Sequence, residues 1–299
     1  MREYSWDFTA EVQHQLLAGM SVTAGYYRNW FGNFSATDNL DVIPSDYSHY
    51  CVTAPLDPRL PNGGGYQVCG LYDVSLAKVG RSNNLVTQAS NFGKRTQVSD
   101  FFGVTFNTRF GSGTQFGGGL DMGRTVADGC FVIDSPQQLL NCHVVSPFTA
   151  QMQVKLFGSY QLPFELMVSG TLQNQSGPEI LATYTAPNSA IAPTLGRNLA
   201  SCGAAAVCNG TAAVPLIAPQ TMFEDRRTQL DLRLSKFVRL GRKLRLQANF
   251  DVYNALNASS LLGINTAYGA QWRFPVTSLA TGAGVLDGRL VEFSGQLTF

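Results

Sequence analysis

Apolar and polar residues alternate one by one along nine stretches of this chain, and the clearest of them closes it. Over residues 287–299, Val291, Phe293, Gly295, Leu297 and Phe299 fall on one parity, and Glu292, Ser294, Gln296 and Thr298 fall on the other. A side-chain period of two belongs to a strand with one apolar and one polar face. The same alternation recurs over 4–13, 22–30, 102–110, 116–122, 150–156, 164–173, 230–235 and 244–252. It predicts nine strands.

Alternation alone also suits a soluble sandwich, in which one face meets a core and the other meets water. Length separates the two. Six of these nine runs cover about 9 to 13 residues, whereas ordinary strands centre on about 5–6 and tilted membrane-crossing strands need about 9–11. Aromatic residues gather near the strand ends, at Tyr4, Trp6, Trp30, Phe31, Phe110, Tyr160, Phe164 and Phe299, as in the girdles of a barrel at its two lipid boundaries. The connections sort by length as well. Short turns fall at 17–20, 111–113, 162–163 and 240–242, and long ones at roughly 35–97, 126–148, 177–225 and 257–286. Outer-membrane barrels keep short turns on the periplasmic side and long loops outside. The fold class expected is therefore all-β: an antiparallel up-and-down transmembrane β-barrel, seen here in part.

Composition sharpens this. Only 14% of the 299 residues are charged, against roughly 25% in soluble domains. Thirty glycines, 19 Phe and 11 Tyr are spread through the chain, and no stretch is long and apolar enough for a membrane helix. A net charge of +1 gives no nucleic-acid footprint.

Six cysteines fall as three close pairs, Cys51 with Cys69, Cys130 with Cys142 and Cys202 with Cys208, each inside one long connection. An even count in local pairs predicts three disulfides formed in an oxidising compartment. The spacings suit no zinc site. With His14, His49 and His143 the only histidines, a nucleophilic triad or histidine metal cluster has little material. Asp46 beside His49 could be read as an acid–base pair, but it reads better as ordinary loop polarity. No enzyme activity and no cofactor are expected. The polar parity gathers Asp7, Glu11, Arg109, Asp121, Lys155, Glu165, Asp231, Arg233, Arg245 and Asp251, which are expected to face a lumen and to pair across strands for about 0.2–1 kcal/mol each. Tyr27, Phe31, Phe101 and Phe157 share that parity, which suggests stacking against a plug or a sugar.

Several segments resemble a known family. Arg2-Glu-Tyr-Ser-Trp-Asp, Val12-Gln-His-Gln-Leu, Gly25-Tyr-Tyr-Arg-Asn-Trp-Phe-Gly-Asn-Phe, Ala54-Pro-Leu-Asp-Pro-Arg-Leu-Pro-Asn-Gly-Gly-Gly-Tyr and Gly70-Leu-Tyr-Asp-Val resemble the C-terminal barrel of Oar-like TonB-dependent transporters. Arg226-Arg-Thr-Gln-Leu-Asp-Leu-Arg-Leu-Ser-Lys through Phe250-Asp-Val-Tyr-Asn-Ala-Leu-Asn resembles the penultimate hairpin of TonB-dependent receptors. The resemblance implies a Gram-negative outer-membrane location, lipid around the barrel, and a C-terminal strand (Val291, Phe293, Leu297, Phe299) addressed to the barrel-assembly machinery. It also implies coupling to the TonB complex through a plug domain, which nothing in 1–299 matches. Nine strands is an odd count for a bacterial barrel. Either further strands lie within 35–97, or residues 1–299 are the C-terminal part of a larger barrel lacking plug and signal peptide, and the second is favoured. The function expected is uptake of a large solute. The rivals are a passive porin or adhesive surface barrel, and a soluble secreted sugar-binding protein.

Overall fold

The computed structural model of the chain describes residues 2–111, 113–241, 244–276 and 284–299. Parts of two expected short turns, Ser112 and Arg242, lie outside the described residues, as do 277–283 within the last long connection.

Nine long strands are present: β1 (Tyr4–Leu17), β2 (Met20–Gly32), β3 (Thr96–Phe110), β4 (Thr114–Asp128), β5 (Gln153–Leu162), β6 (Leu166–Gln175), β7 (Arg227–Leu240), β8 (Leu244–Tyr253) and β9 (Leu290–Thr298). They pair in chain order, each antiparallel to the next. Among the described residues β1 and β9 each have a single long neighbour, so the sheet forms a wall and not a closed ring.

Register converts the alternation along each strand into two continuous faces. Phe106, Gly118, Leu156, Leu172 and Leu230 stand opposite one another from β3 to β7. Val168, Leu234, Phe250 and Phe293 do the same from β6 to β9, with the two phenylalanine rings 5.0 Å apart. Among the described residues this apolar face has no protein layer over it: on interior strands Phe102 is 47% exposed and Leu234 40%. A contiguous apolar surface of this extent marks contact with another apolar phase.

Some boundaries differ from the sequence expectation. The run expected as strand over 150–156 begins as a helical turn, Phe148–Gln151, and is extended only from Gln153. Pro147 pre-sets that turn's start, and the Arg226 guanidinium caps it by donating to the carbonyls of Thr149 at 3.1 Å and Met152 at 2.6 Å. The run expected over 164–173 begins at Leu166. Phe164 and Glu165 instead form the turn with φ of 65° and 57°, as tight hairpin connections demand. Glu165 therefore sits at the rim, 3.5 Å from Arg239, and not within the wall. Four short strands do lie within the first long connection, but Ser35–Asn39 pairs with Asn84–Gln88 and Tyr47–Thr53 with Gln67–Val74, and none joins the wall.

The buried core lies outside the wall. Tyr50, Val52, Leu60 and Leu71 from the first long connection, Ile180, Ile191, Val214 and Ile217 from the third, and Ile264 and Trp272 from the fourth pack into one cluster. Leu140 of the second packs against it. The four long connections thus fold together as a cap at one end of the wall.

Candidate functional site

The polar face of the wall is built by the same register. Arg109, Gln115, Ser159, Ser169, Arg233, Asp251 and Glu292 stand in a single row from β3 to β9. Glu11, Gly25, Gly103, Asp121 and Gln153 form another. Asp7 is opposite Asn29, Lys155 opposite Gln173, Asp231 opposite Thr171 and Arg245 opposite Thr298. All nine charged residues assigned to wall strands on this parity thus share one face.

Their partners are local. The Asn29 amide donates to Asp7 at 2.6 Å, and the Tyr27 hydroxyl donates to Glu11 at 2.5 Å. Arg233 grips Asp251 with two contacts at 2.5 and 3.2 Å, and Asp251 is almost wholly buried. Asp231 accepts the backbone N–H of Asn254 at 2.8 Å, which ties the top of the wall to the fourth long connection. The Arg245 guanidinium lies 4.4 Å from the Phe237 ring. Arg109, Asp121 and Lys155 make no ion pair among the described residues, so the polar face carries both paired and unpaired charges of either sign.

The aromatics on the polar face have a structural task that alternation did not reveal. Tyr27, Phe101 and Phe157 lie over Gly25, Gly123 and Gly117, where an added Cβ would meet their rings at 2.9 Å or less. Glycine supplies no packing of its own, and an aromatic laid across it restores contact. The run Gly117-Gly-Gly directly after Phe116 was the signal in the sequence. Phe157 and Gln115 also separate two grooves, one of about 720 Å³ lined by Gln13, Gln15, Asn107 and Arg109, the other of about 340 Å³ lined by Thr171, Asp231, Arg233 and Tyr253.

Within the cap, disulfides brace single connections and ion pairs join one connection to another. All three expected disulfides are formed, Cys51–Cys69, Cys130–Cys142 and Cys202–Cys208. Arg197 binds Asp73 at 2.5 Å and the Val74 carbonyl at 2.9 Å, joining the first and third connections, while Arg273 binds Glu224 at 2.7 and 2.8 Å, joining the third and fourth. Asp57 accepts from Arg59 at 2.7 Å and from the Tyr268 hydroxyl at 3.1 Å, and Arg59 in turn lies 5.2 Å from the Trp272 ring. Asp46 and His49 act separately: Asp46 is 3.7 Å from Lys78, and His49 accepts the Gly70 N–H at 3.2 Å.

The Arg59 side-chain hydrogen bonds, followed by the Arg59 backbone N–H, hold the Asp57 carboxyl well below the usual carboxylate range. A depressed folded-state value adds stability above the unfolded value, near pH 4, which is lost as pH falls through the folded one. Acidification below about pH 4 is therefore expected to loosen the contact of 57–59 with 268–272. Hydrogen exchange at those segments checks it, and Asp57→Asn should flatten the dependence.

Gly64 is a second sensitive point in the cap. Its backbone has φ 78° and ψ −158°, a region open essentially to glycine, and a Cβ there would stand 1.9 Å from the Pro55 carbonyl oxygen. Gly64→Ala is expected to cost about 1–3 kcal/mol, read as faster proteolysis of the first long connection. Gly63→Ala, whose Cβ would meet nothing within 4 Å, should cost less.

A wall of long antiparallel strands, apolar on one side and polar on the other, with short turns at one end and a folded cap at the other, has the architecture of an outer-membrane β-barrel. Structural comparison agrees at the level of fold. The ferripyoverdine receptor of the outer membrane of Pseudomonas aeruginosa, bound to ferripyoverdine, superposes with a TM-score of 0.50 at 12% identity over 99% of this chain and 27% of its own. A second structure of the pyoverdine outer membrane receptor FpvA from that organism gives 0.49 at 13% identity, over 99% of this chain and 30% of that one. The outer membrane transporter YddB from Escherichia coli gives 0.46 at 10%, over 99% and 32%. The chain thus spans about a quarter to a third of the length of these proteins. No protein-family model and no curated protein sequence matches it.

Proposed function

We propose that residues 1–299 are the C-terminal part of the barrel of an outer-membrane TonB-dependent transporter that takes up a large solute. The observation that carries this reading is the unbroken two-faced wall, uncovered on both sides and finished by a disulfide-tied cap at one end only. On this reading the apolar face meets lipid, and the polar face with Asp7, Glu11, Arg109, Asp121, Lys155, Asp231, Arg233, Arg245 and Asp251 lines the lumen. Glu165 guards the periplasmic rim. The cap faces outward, where its three disulfides suit an oxidising route. Val291, Phe293, Leu297 and Phe299 form the strand handed to the barrel-assembly machinery, and TonB acts through a plug domain.

The P. aeruginosa receptor with the shared fold is bound to ferripyoverdine, which supports a receptor role for the barrel here. The protein isolated from outer membranes is expected to resist alkaline extraction and to show no steady ion conductance in planar bilayers, because a plug fills the lumen. Steady conductance would replace this reading with the passive porin. Release into the aqueous phase would remove the barrel altogether.

A further inference from the structure

Charges are few on the apolar face, and three of them stand together. Arg28, Asp100 and Arg124 oppose one another across β2, β3 and β4, in a row that starts at Phe8 of β1. The neighbouring row toward the short turns is Ala10, Tyr26, Phe102 and Met122, and the one toward the cap is Trp6, Trp30, Val98 and Val126. Tryptophan on such a face favours the lipid–water boundary, so the charges sit at that level on the cap side.

The charges do not cancel. Asp100 accepts from the Tyr26 hydroxyl at 2.6 Å and from Arg28 at 3.2 Å, which commits its Oδ1 to the β2 side. Arg124 is exposed, and no carboxylate among the described residues lies within ion-pairing distance of it; its guanidinium rests 5.6 Å from the Phe148 ring. The next acid up the same strand face, Asp128, is held by His143 at 2.7 Å. Two guanidinium groups thus face lipid with one carboxylate between them. The turn end of this face differs, since Lys236 there is bound by the Phe164 carbonyl.

A net cation facing hydrocarbon is unfavourable, and an anion at the same depth relieves it. Guanidinium forks fit phosphate oxygens in pairs. We propose that Arg28 and Arg124 bind the phosphate of a lipid headgroup in the leaflet on the cap side. The proposal rests on the reading that the apolar face meets lipid.

The test uses the protein in phosphatidylcholine vesicles carrying either chain-brominated phosphatidylcholine or chain-brominated phosphatidylglycerol, with Trp6 and Trp30 as reporters beside the arginines. The third tryptophan of residues 1–299, Trp272, is buried in the cap, and its background is common to every arm. At equal bromine content the anionic lipid is expected to be enriched near the reporters by about fivefold, the scale set by one net cation at a membrane surface. R28Q/R124Q should abolish that excess and leave quenching by the zwitterionic lipid unchanged, which also shows the variant to be inserted. Equal quenching by both lipids in the unaltered protein overturns the proposal, as does an excess that survives in the double variant. An excess removed by inorganic phosphate at constant ionic strength overturns the lipid assignment in favour of a general anion site. Quenching by neither lipid means that the apolar face does not meet lipid, and the parent reading falls instead.

Discussion

Arginine in place of Val104 is expected to cost about 2–4 kcal/mol, and arginine in place of Thr105, the next residue along, close to nothing. The two share strand β3, backbone conformation and distance from the cap. They differ in the face they occupy. Val104 stands between Ala24 and Leu120 on the apolar side, whereas Thr105 stands between Thr23 and Gly119 on the polar side. Both side chains are exposed in the isolated chain, so protein packing predicts little difference between them. Only a hydrocarbon phase on one side and water on the other separates them. Equilibrium unfolding of the two variants from lipid vesicles measures the difference. Equal midpoints would mean that the apolar face is covered by protein or by nothing, and the membrane reading would be lost.

Trp272→Ala is the most damaging single change expected in the cap. The ring is 1% exposed, its N–H donates to the Leu181 carbonyl at 2.7 Å, and it packs against Tyr268 at 5.5 Å with Arg59 on its face. Truncation opens a cavity worth about 3–5 kcal/mol and leaves a carbonyl unpaired, adding about 1–3 kcal/mol. Because the first, third and fourth connections share this core, protection from hydrogen exchange should fall in 47–74, 180–217 and 261–272 together. The wall should keep its protection, since its ladder hydrogen bonds owe nothing to Trp272. Loss confined to 261–272 would show that the cap is a set of separate loops and not a cooperative unit.

The strands were legible because a wall wetted by two different media imposes a period of two on every strand. Residues such as Leu230, Leu232 and Leu234 report their face without reference to any distant partner. The cysteine pairs were legible for a similar reason, each lying within one connection at short separation. Short alternations were less reliable. Ala150 to Met152 is too brief to outweigh Pro147 and the Arg226 cap, and Phe164 with Glu165 went to the turn that chain reversal required.

From the sequence alone come the two faces, the long strands, the split between short turns and long connections, and the disulfide pairs, because each follows from local periodicity or spacing. Only the tertiary structure decided that those connections form a single core. Arg59 meets Trp272 across more than two hundred residues of chain, and no local pattern encodes such a contact. It also decided that Arg28, Asp100 and Arg124 share a row, since register between strands is set by pairing, and pairing places residues from separate hairpins side by side.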